Sequence, residues 1–274
     1  VESYYGKKLK GTDNYYEVLQ SRQDFRNKPE WKEFREYYKN RYNTEGYDLK
    51  PHTDPDTGIK SRTRGEMLHK MDVSRRRIDQ AGSVCRISRT GFIVAAALLS
   101  MAEYNQSDRV MCEWVHNGRE TAKDAEVFGM LIHSFYAELS PKPTTTVLSL
   151  LKDIQEQITS SLEHRIGIDY EETLKAQFCV LYQSNLLDVE SLFGEGAEYI
   201  HLPVEEDIYE ISLYFEVMDC GEGFCLKQEY AEDQYKRESI DKLGRLFNRV
   251  LTSLSEVMER PDMTVGDVIR LKQF

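Results

Sequence analysis

Apolar and aromatic positions in this 274-residue chain recur with two different periods, one helical and one extended. Tyr4, Tyr5, Tyr15 and Tyr16, then Trp31, Phe34, Tyr37 and Tyr38, return at three- and four-residue steps, the spacing of a helix face. Asp13 stands at an N-cap position before a helix predicted from Tyr15 to Arg22, and Pro29 fits the first turn of a second running to about Arg41. Asn43, Gly46, Pro51, Pro55, Gly58 and Gly65 interrupt any period and predict a linker over 43–65. Thr90 or Ser88 is the expected cap of an apolar helix reaching Tyr104, in which Ala95 to Ala97 let neighbours approach closely. Thr144 to Thr146 open an amphipathic helix with Val147, Leu151, Ile154, Ile158 and Leu162 on one stripe. Ile240, Leu243, Phe247, Val250, Leu254 and Val257 mark a last helix, about Lys236 to Glu259, that ends before Pro261.

The extended period is sharpest where Tyr209, Ile211, Leu213, Phe215 and Val217 alternate with Glu210, Ser212, Tyr214 and Glu216. Asp219-Cys220-Gly221-Glu222-Gly223 then turns the chain into Phe224 to Tyr230, which predicts a hairpin with one buried face. Val110 to Val115 reads as a buried strand ended by Asn117-Gly118-Arg119, and Ala176 to Tyr182 as a short β run. Phe128 to Leu139 fits helix or strand equally, and residues 186 to 207 are irregular, with Gly194 and Gly196. Helices alternating with strands predict a layered α/β sandwich, a mixed sheet flanked by helices.

Composition narrows the function classes. The formal charge of −11 works against a phosphate-backbone ligand, so nucleic acid is not an expected partner. The longest apolar stretch, Phe92 to Ala102, falls well short of the roughly 20 residues of a spanning helix, so no membrane partner is expected either. Five cysteines, an odd number without a secretory pattern, lead to the expectation of a reducing cytoplasm in which Cys220 and Cys225 stay thiols. Against the acidic average, residues 60 to 89 carry nine Lys and Arg against three acids. Within that run Arg75, Arg76 and Arg77 are either a solvated helix face or a docking site for an acidic partner such as a carrier protein.

Catalytic signatures are sparse. His52, His69, His116, His133, His164 and His201 are scattered without metal-ligand spacing, so no metal site is expected. His133 lies in an apolar segment, where a satisfied core histidine competes with a base, and His164 follows a helix end, where capping is the simple reading. Gly221-Glu222-Gly223 looks like part of a phosphate loop, but no helix follows to supply amides.

The order of motifs carries more than any single one. Tyr4-Tyr5-Gly6-Lys7-Lys8-Leu9, Asp13-Asn14-Tyr15-Tyr16 with Arg22, and Pro29-Glu30-Trp31 with Tyr37-Tyr38 come first. Asn117-Gly118-Arg119, Phe128-Gly129-Met130-Leu131-Ile132-His133-Ser134, His164 with Asp169-Tyr170-Glu171, and Val265-Gly266-Asp267-Val268 follow. In that order they resemble the condensation domains of nonribosomal peptide synthetases, over nearly the whole chain. The departures are His133 and Ser134 where the family has Asn and Thr, Gly167-Ile168 where it has Asp-x-Pro, and no His-His-x-x-x-Asp-Gly motif.

The resemblance implies two pseudo-symmetric lobes with a chloramphenicol-acetyltransferase-like fold. Residues 1–60 would be the helical tail of the N-terminal lobe plus linker, and 61–274 the C-terminal lobe, with the catalytic histidine upstream of Val1. It further implies that acyl and peptidyl carrier proteins and the remainder of the N-terminal lobe are partners. No cofactor would be bound directly, the carriers' phosphopantetheine arms entering as substrates of amide-bond formation. Gly118, Arg119, Gly129, Ser134 and His133 become candidates for the tunnel floor and lobe junction. Simple structural roles stand beside that reading: a turn at Gly118, tight packing at Gly129, a carboxylate partner for Arg119. A rival from another class is a condensation-like module that docks a carrier or tailoring enzyme without catalysis.

Overall fold

The computed structural model of the protein describes residues 15–41, 44–61, 63–119, 124, 127, 129–165, 176–184 and 211–271. Tyr4 to Leu9, Asp13, Asn14, Asn43, Phe128, Gly167 to Glu171, Gly194, Gly196, His201, Tyr209 and Glu210, all named above, lie outside the described residues.

Two helices open the described chain, α1 (Tyr15–Arg26) and α2 (Glu30–Arg41), with Pro29 just ahead of the second. The first helix runs one turn past its predicted end at Arg22. The Tyr38 hydroxyl donates to the Ser161 carbonyl at 2.7 Å, and the Tyr37 ring stacks on His164 at 4.1 Å, so α2 is moored to the body of the protein by its aromatic face.

Residues 44–61 contain no regular element, yet they are well anchored. Asp48 bridges to Val110, Asn105 donates to Asp48 and to the Lys50 carbonyl, and Tyr235 donates to the Pro51 carbonyl.

The remainder builds one six-stranded mixed sheet. In chain order follow β1 (Arg64–Ser74), α3 (Arg75–Cys85), α4 (Arg89–Asn105), β2 (Val110–His116), β3 (His133–Leu139), α5 (Val147–Glu163), β4 (Phe178–Gln183), β5 (Leu213–Cys220), β6 (Gly223–Ala231), α6 (Arg237–Leu254) and α7 (Val265–Val268). Strand order is β1-β6-β5-β4-β2-β3; β4 pairs in parallel with β5 and β2, and the other pairs are antiparallel. The layered α/β sandwich expected from the sequence is the fold observed.

Alternation decides which face is buried. Met71, Val73, Cys112, Trp114, Phe135, Ala137, Phe178, Val180, Phe215, Val217 and Leu226 form one apolar cluster with the inner stripes of α3 to α6. Central helix α4 is buried on all sides, which its alanines permit, and Ser88 caps it by accepting from the Gly91 amide at 3.0 Å. Burial of each large apolar side chain contributes roughly 1.5–3 kcal/mol.

One open sequence reading is settled and another is corrected. The stretch left open between helix and strand forms strand β3 from His133 to Leu139, held by antiparallel pairing with β2. Cys220 and Cys225 are disulfide-bonded rather than free. The tight hairpin brings their Cα atoms to 5.5 Å, inside the bridging range, a geometric fact that cell compartment alone does not convey. Strand β1 has no counterpart in the sequence reading: the basic residues of the 60–89 run hid the alternation of Met67, His69, Met71 and Val73.

Candidate functional site

Where β2 ends and β3 begins, the sheet edge meets α1 across a cavity of about 280 Å³. Its wall is built by Glu17, Val18, Ser21 and Arg22 from α1, by Gly118, Val127 and Leu131 from the β2–β3 connection, by His133, and by Asp124 and Arg165. His116 and His133 are cross-strand partners at the site's base.

The connection is shaped by its backbone. Gly118 has φ +70, and a Cβ there would lie 1.9 Å from the Leu131 carbonyl oxygen, so no other residue fits without moving the strand that follows. Its amide donates to His116 Nδ1 at 3.1 Å, which makes that nitrogen an acceptor. Arg119 reaches back over the same loop, and its Nη2 donates to the carbonyls of Val127 (3.2 Å) and Gly129 (3.0 Å). Among the described residues, Arg119 therefore binds backbone carbonyls, where its charge suggested a carboxylate. A Cβ on Gly129 would meet the Tyr15 ring at 2.4 Å, so α1 packs directly on this glycine, and Tyr15 donates to the next carbonyl, that of Met130.

His133 is almost fully buried, with its ring 5.9 Å from that of Phe135. Arg22 Nη2 lies 3.1 Å from its Nε2. A guanidinium has no lone pair to offer, so Arg22 donates and Nε2 accepts, which requires an imidazole with no proton on Nε2. Burial, then the charges of Arg22, Arg165 and His116, push the His133 pKa down to about 4. The ring is a neutral polar surface at physiological pH.

Ser134 does not join the cavity by its side chain. Adjacent residues in a strand face opposite sides, and Ser134 hydrogen-bonds Glu113 on the other face of the sheet. Glu113 is buried there beside Cys179, and burial raises its pKa despite the bond to Ser134. His164 is the C-cap residue of α5, its Nδ1 2.7 Å from the Ser160 carbonyl, as the capping reading anticipated.

Arg75, Arg76 and Arg77 form the first turn of α3 and line a separate groove of about 1060 Å³. Arg75 is engaged with Asp219 at 3.0 Å and with the Gly221 carbonyl, and Arg77 with Ser255 at 2.9 Å and Glu259 at 3.1 Å. Asp219 also accepts from Tyr182 (3.0 Å) and Arg89 (3.4 Å), making it the hub that ties the hairpin tip to α3 and α4.

Of the candidates named from sequence, the fold brings Gly118, Arg119, Gly129 and His133 into one corner and leaves Ser134 and the three arginines elsewhere. The acidic and basic side chains of α1 were missed as cavity wall, because Arg22 and His133 are 111 residues apart. The available signal was the spacing of Glu17, Ser21 and Arg22, which places them on one face of the helix.

Comparison with known proteins places this architecture. The family model described as "Condensation domain" matches residues 4–274. A plipastatin synthase of Bacillus subtilis (strain 168) is 27% identical over 184 residues, covering 60% of this chain and 7% of that protein. The condensation domain from Monacolin K polyketide synthase MokA superposes with TM-score 0.72 at 13% identity, over 96% of this chain and 65% of that one. The epimerization domain from the third module of tyrocidine synthetase B gives 0.69 at 12%, over 93% and 63%. The chain thus spans a small fraction of the curated synthase and under two thirds of each of these solved chains. With six strands, their order and the β2–β3 corner already in place, the chain belongs to the condensation-domain family.

Proposed function

We propose that this chain is one wall of a channel in which acyl and aminoacyl thioesters, each tethered to a carrier protein by a phosphopantetheine arm, are joined through an amide bond. The carrying observation is the family match over residues 4–274, with the β2–β3 corner supplying a polar cavity against α1. In the reaction the acceptor amine attacks the donor thioester carbonyl. A C–N bond forms, the C–S bond breaks, and the proton lost by the attacking nitrogen passes through a base to the departing sulfur, so that the donor arm leaves as a thiol.

The base is assigned to the family's histidine motif on the remaining part of the N-terminal lobe. His133 is unsuited to it, since Nε2 already accepts from Arg22 and the ring holds a proton poorly at neutral pH. What this chain contributes is placement: Gly118, Arg119 and Gly129 fix the β2–β3 connection against α1. Holding two tethered reactants in attack geometry is worth roughly 7–11 kcal/mol. Neutral His133 offers hydrogen bonding without competing for the amine's proton.

The rival is a docking module that engages carriers without catalysis, and the commitment of His133 to Arg22 favours it wherever the upstream motif is broken. A carrier whose arm ends in a photoreactive group tests the channel. Crosslinks to peptides spanning 15–26 and 129–139 are expected, and labelling confined to other surfaces would refute the placement. Labelling there without amide formation by the natural polypeptide selects docking.

A further inference from the structure

Residues Asp219 to Gly223 form the tip of the β5–β6 hairpin, and the start of α3 is bonded to that tip at consecutive positions. The Asp219 carboxylate accepts from Arg75 Nη1 (3.0 Å), Tyr182 (3.0 Å) and Arg89 (3.4 Å). The Gly221 carbonyl accepts from Arg75 Nη2, and the Glu222 carbonyl from the Arg75 amide at 2.9 Å. Arg75 is the first residue of α3, and its N-cap Ser74 pairs with Gly223. The conformation of the hairpin tip therefore decides how the first turn of α3 is held.

The Cys220–Cys225 disulfide crosses this tip. Cys220 faces Gly223 in the ladder and Cys225 faces Met218, so the bridge runs diagonally between the strands. Its ends are five residues apart in sequence. Stabilisation by a disulfide grows with the loop it closes, so a bridge this short adds little to the whole fold and acts on the tip itself. Gly221, at φ +59, and Glu222 are exposed and Cys220 beside them is half-buried, which leaves the Cys220 end open to a thiol from solvent, while Cys225 is buried. The remaining cysteines, Cys85, Cys112 and Cys179, are free, and burial raises each thiol's pKa, which lowers the thiolate fraction through which exchange proceeds. Because β2, β4 and β5 run parallel, the tip lies at the same end of the sheet as the β2–β3 corner, with Tyr182 of β4 bonded to Asp219.

We infer that Cys220–Cys225 is a redox modification site, a thiol-exchangeable clasp whose state sets how firmly the hairpin tip holds the first turn of α3. It stands independently of the channel reading above. The co-reactant is a dithiol. One of its thiolates attacks Cys220 Sγ, the bond between the two cysteines breaks, and Cys225 leaves as a thiolate that takes a proton. The second thiol then attacks the mixed disulfide, Cys220 departs as a thiol, and the dithiol is oxidised to its own disulfide, so the protein gains two electrons and two protons. With the clasp open the acceptors at 219–222 lose their shared alignment on Arg75. The groove along α3, lined by Ser74, Arg75 and Glu222, loosens with them.

The test holds the folded protein in a series of buffers of reduced and oxidised dithiothreitol, traps free thiols with N-ethylmaleimide in denaturant, and reads each cysteine by peptide mass spectrometry. Cys220 and Cys225 are expected to convert together between disulfide and dithiol, with Cys85, Cys112 and Cys179 labelled throughout. Hydrogen exchange in parallel should quicken about tenfold or more on reduction at the Arg75 amide and over 219–224, and by less than about twofold in α5. Cys220→Ser and Cys225→Ser should show the faster exchange in every buffer, with circular dichroism and Tm confirming that each folds; the wild-type series decides the question without them. A pair that stays bridged, or stays as thiols, across the whole series would overturn the exchange site. Equal exchange at Arg75 in the two redox states would overturn the clasp. Neither result bears on the channel.

Discussion

Arg22 of α1 and His133 of β3, 111 residues apart in sequence, are joined at 3.1 Å, and that contact fixes the imidazole as neutral with Nε2 accepting. The unfolded chain has no such neighbour, so there His133 takes its proton at the ordinary value near 6.5. Folded, it does so only near 4. The unfolded state therefore binds the extra proton first, and the stability present above pH 6.5 is lost as pH falls toward 4, by about 3 kcal/mol at most. Denaturant unfolding of wild type and His133→Asn at pH 7 and pH 4.5 checks this: the difference should shrink at the lower pH. NMR of the His133 ring should show Nε2 unprotonated at pH 6, with the pKa rising in Arg22→Met. Titration of the wild-type ring near 6.5 would contradict the contact.

Gly118→Ala is expected to cost about 2–4 kcal/mol, since the residue sits at φ +70 and a Cβ would collide with the Leu131 carbonyl. Thermal or denaturant unfolding reads it directly. A loss under about 0.5 kcal/mol would show that the connection relaxes freely, and the cavity wall with it.

Arg119→Met leaves the Val127 and Gly129 carbonyls without their shared donor, at a cost of about 1–3 kcal/mol. Hydrogen exchange should quicken around 129–132 and in the first turns of α1, which packs on Gly129. Exchange confined to residue 119 itself would mean that the loop is held by other contacts.

Glu113 has the opposite pH sign from His133. Its folded pKa is raised by burial, so it favours the folded state at low pH and penalises it as pH rises through the shifted value. Glu113→Gln keeps the hydrogen-bonding shape for Ser134 and removes the buried charge. Its Tm should exceed wild type at pH 8 and converge with it near pH 4; a lower Tm at pH 8 would oppose this assignment.

Of the five cysteines, Cys85, Cys112 and Cys179 are free. Alkylation of denatured, unreduced protein should therefore label three thiols, and five after reduction. Five before reduction would show the hairpin bridge to be absent in solution.

Much of this was written locally in the sequence. The stripes of α5 and α6 and the alternation of β5 follow from burial on one face, and Thr146 caps α5 where a run of threonines announced it. What escaped was set by tertiary pairing. Strand β1 carries Glu66, Lys70 and Asp72 because its outward face is exposed, and its inner face is fixed by pairing with β6 and packing against α6. Strand β3 was undecidable until β2 lay beside it. Gly118, Gly129 and His133 were picked out by family resemblance, whereas their partners Leu131, Tyr15 and Arg22 come from other turns and elements that no spacing rule links. The arginine triplet looked uniform in sequence, and only the fold separates Arg76 from its two neighbours.

The most direct measurement loads one carrier with a donor acyl group and a second with an acceptor amino acid, adds the natural polypeptide that bears this chain, and follows both carriers by intact-protein mass spectrometry. The acceptor carrier should gain the donor's acyl mass as the donor carrier reverts to its free thiol. An acceptor that stays unchanged across loaded partners that demonstrably bind would contradict amide formation in this channel.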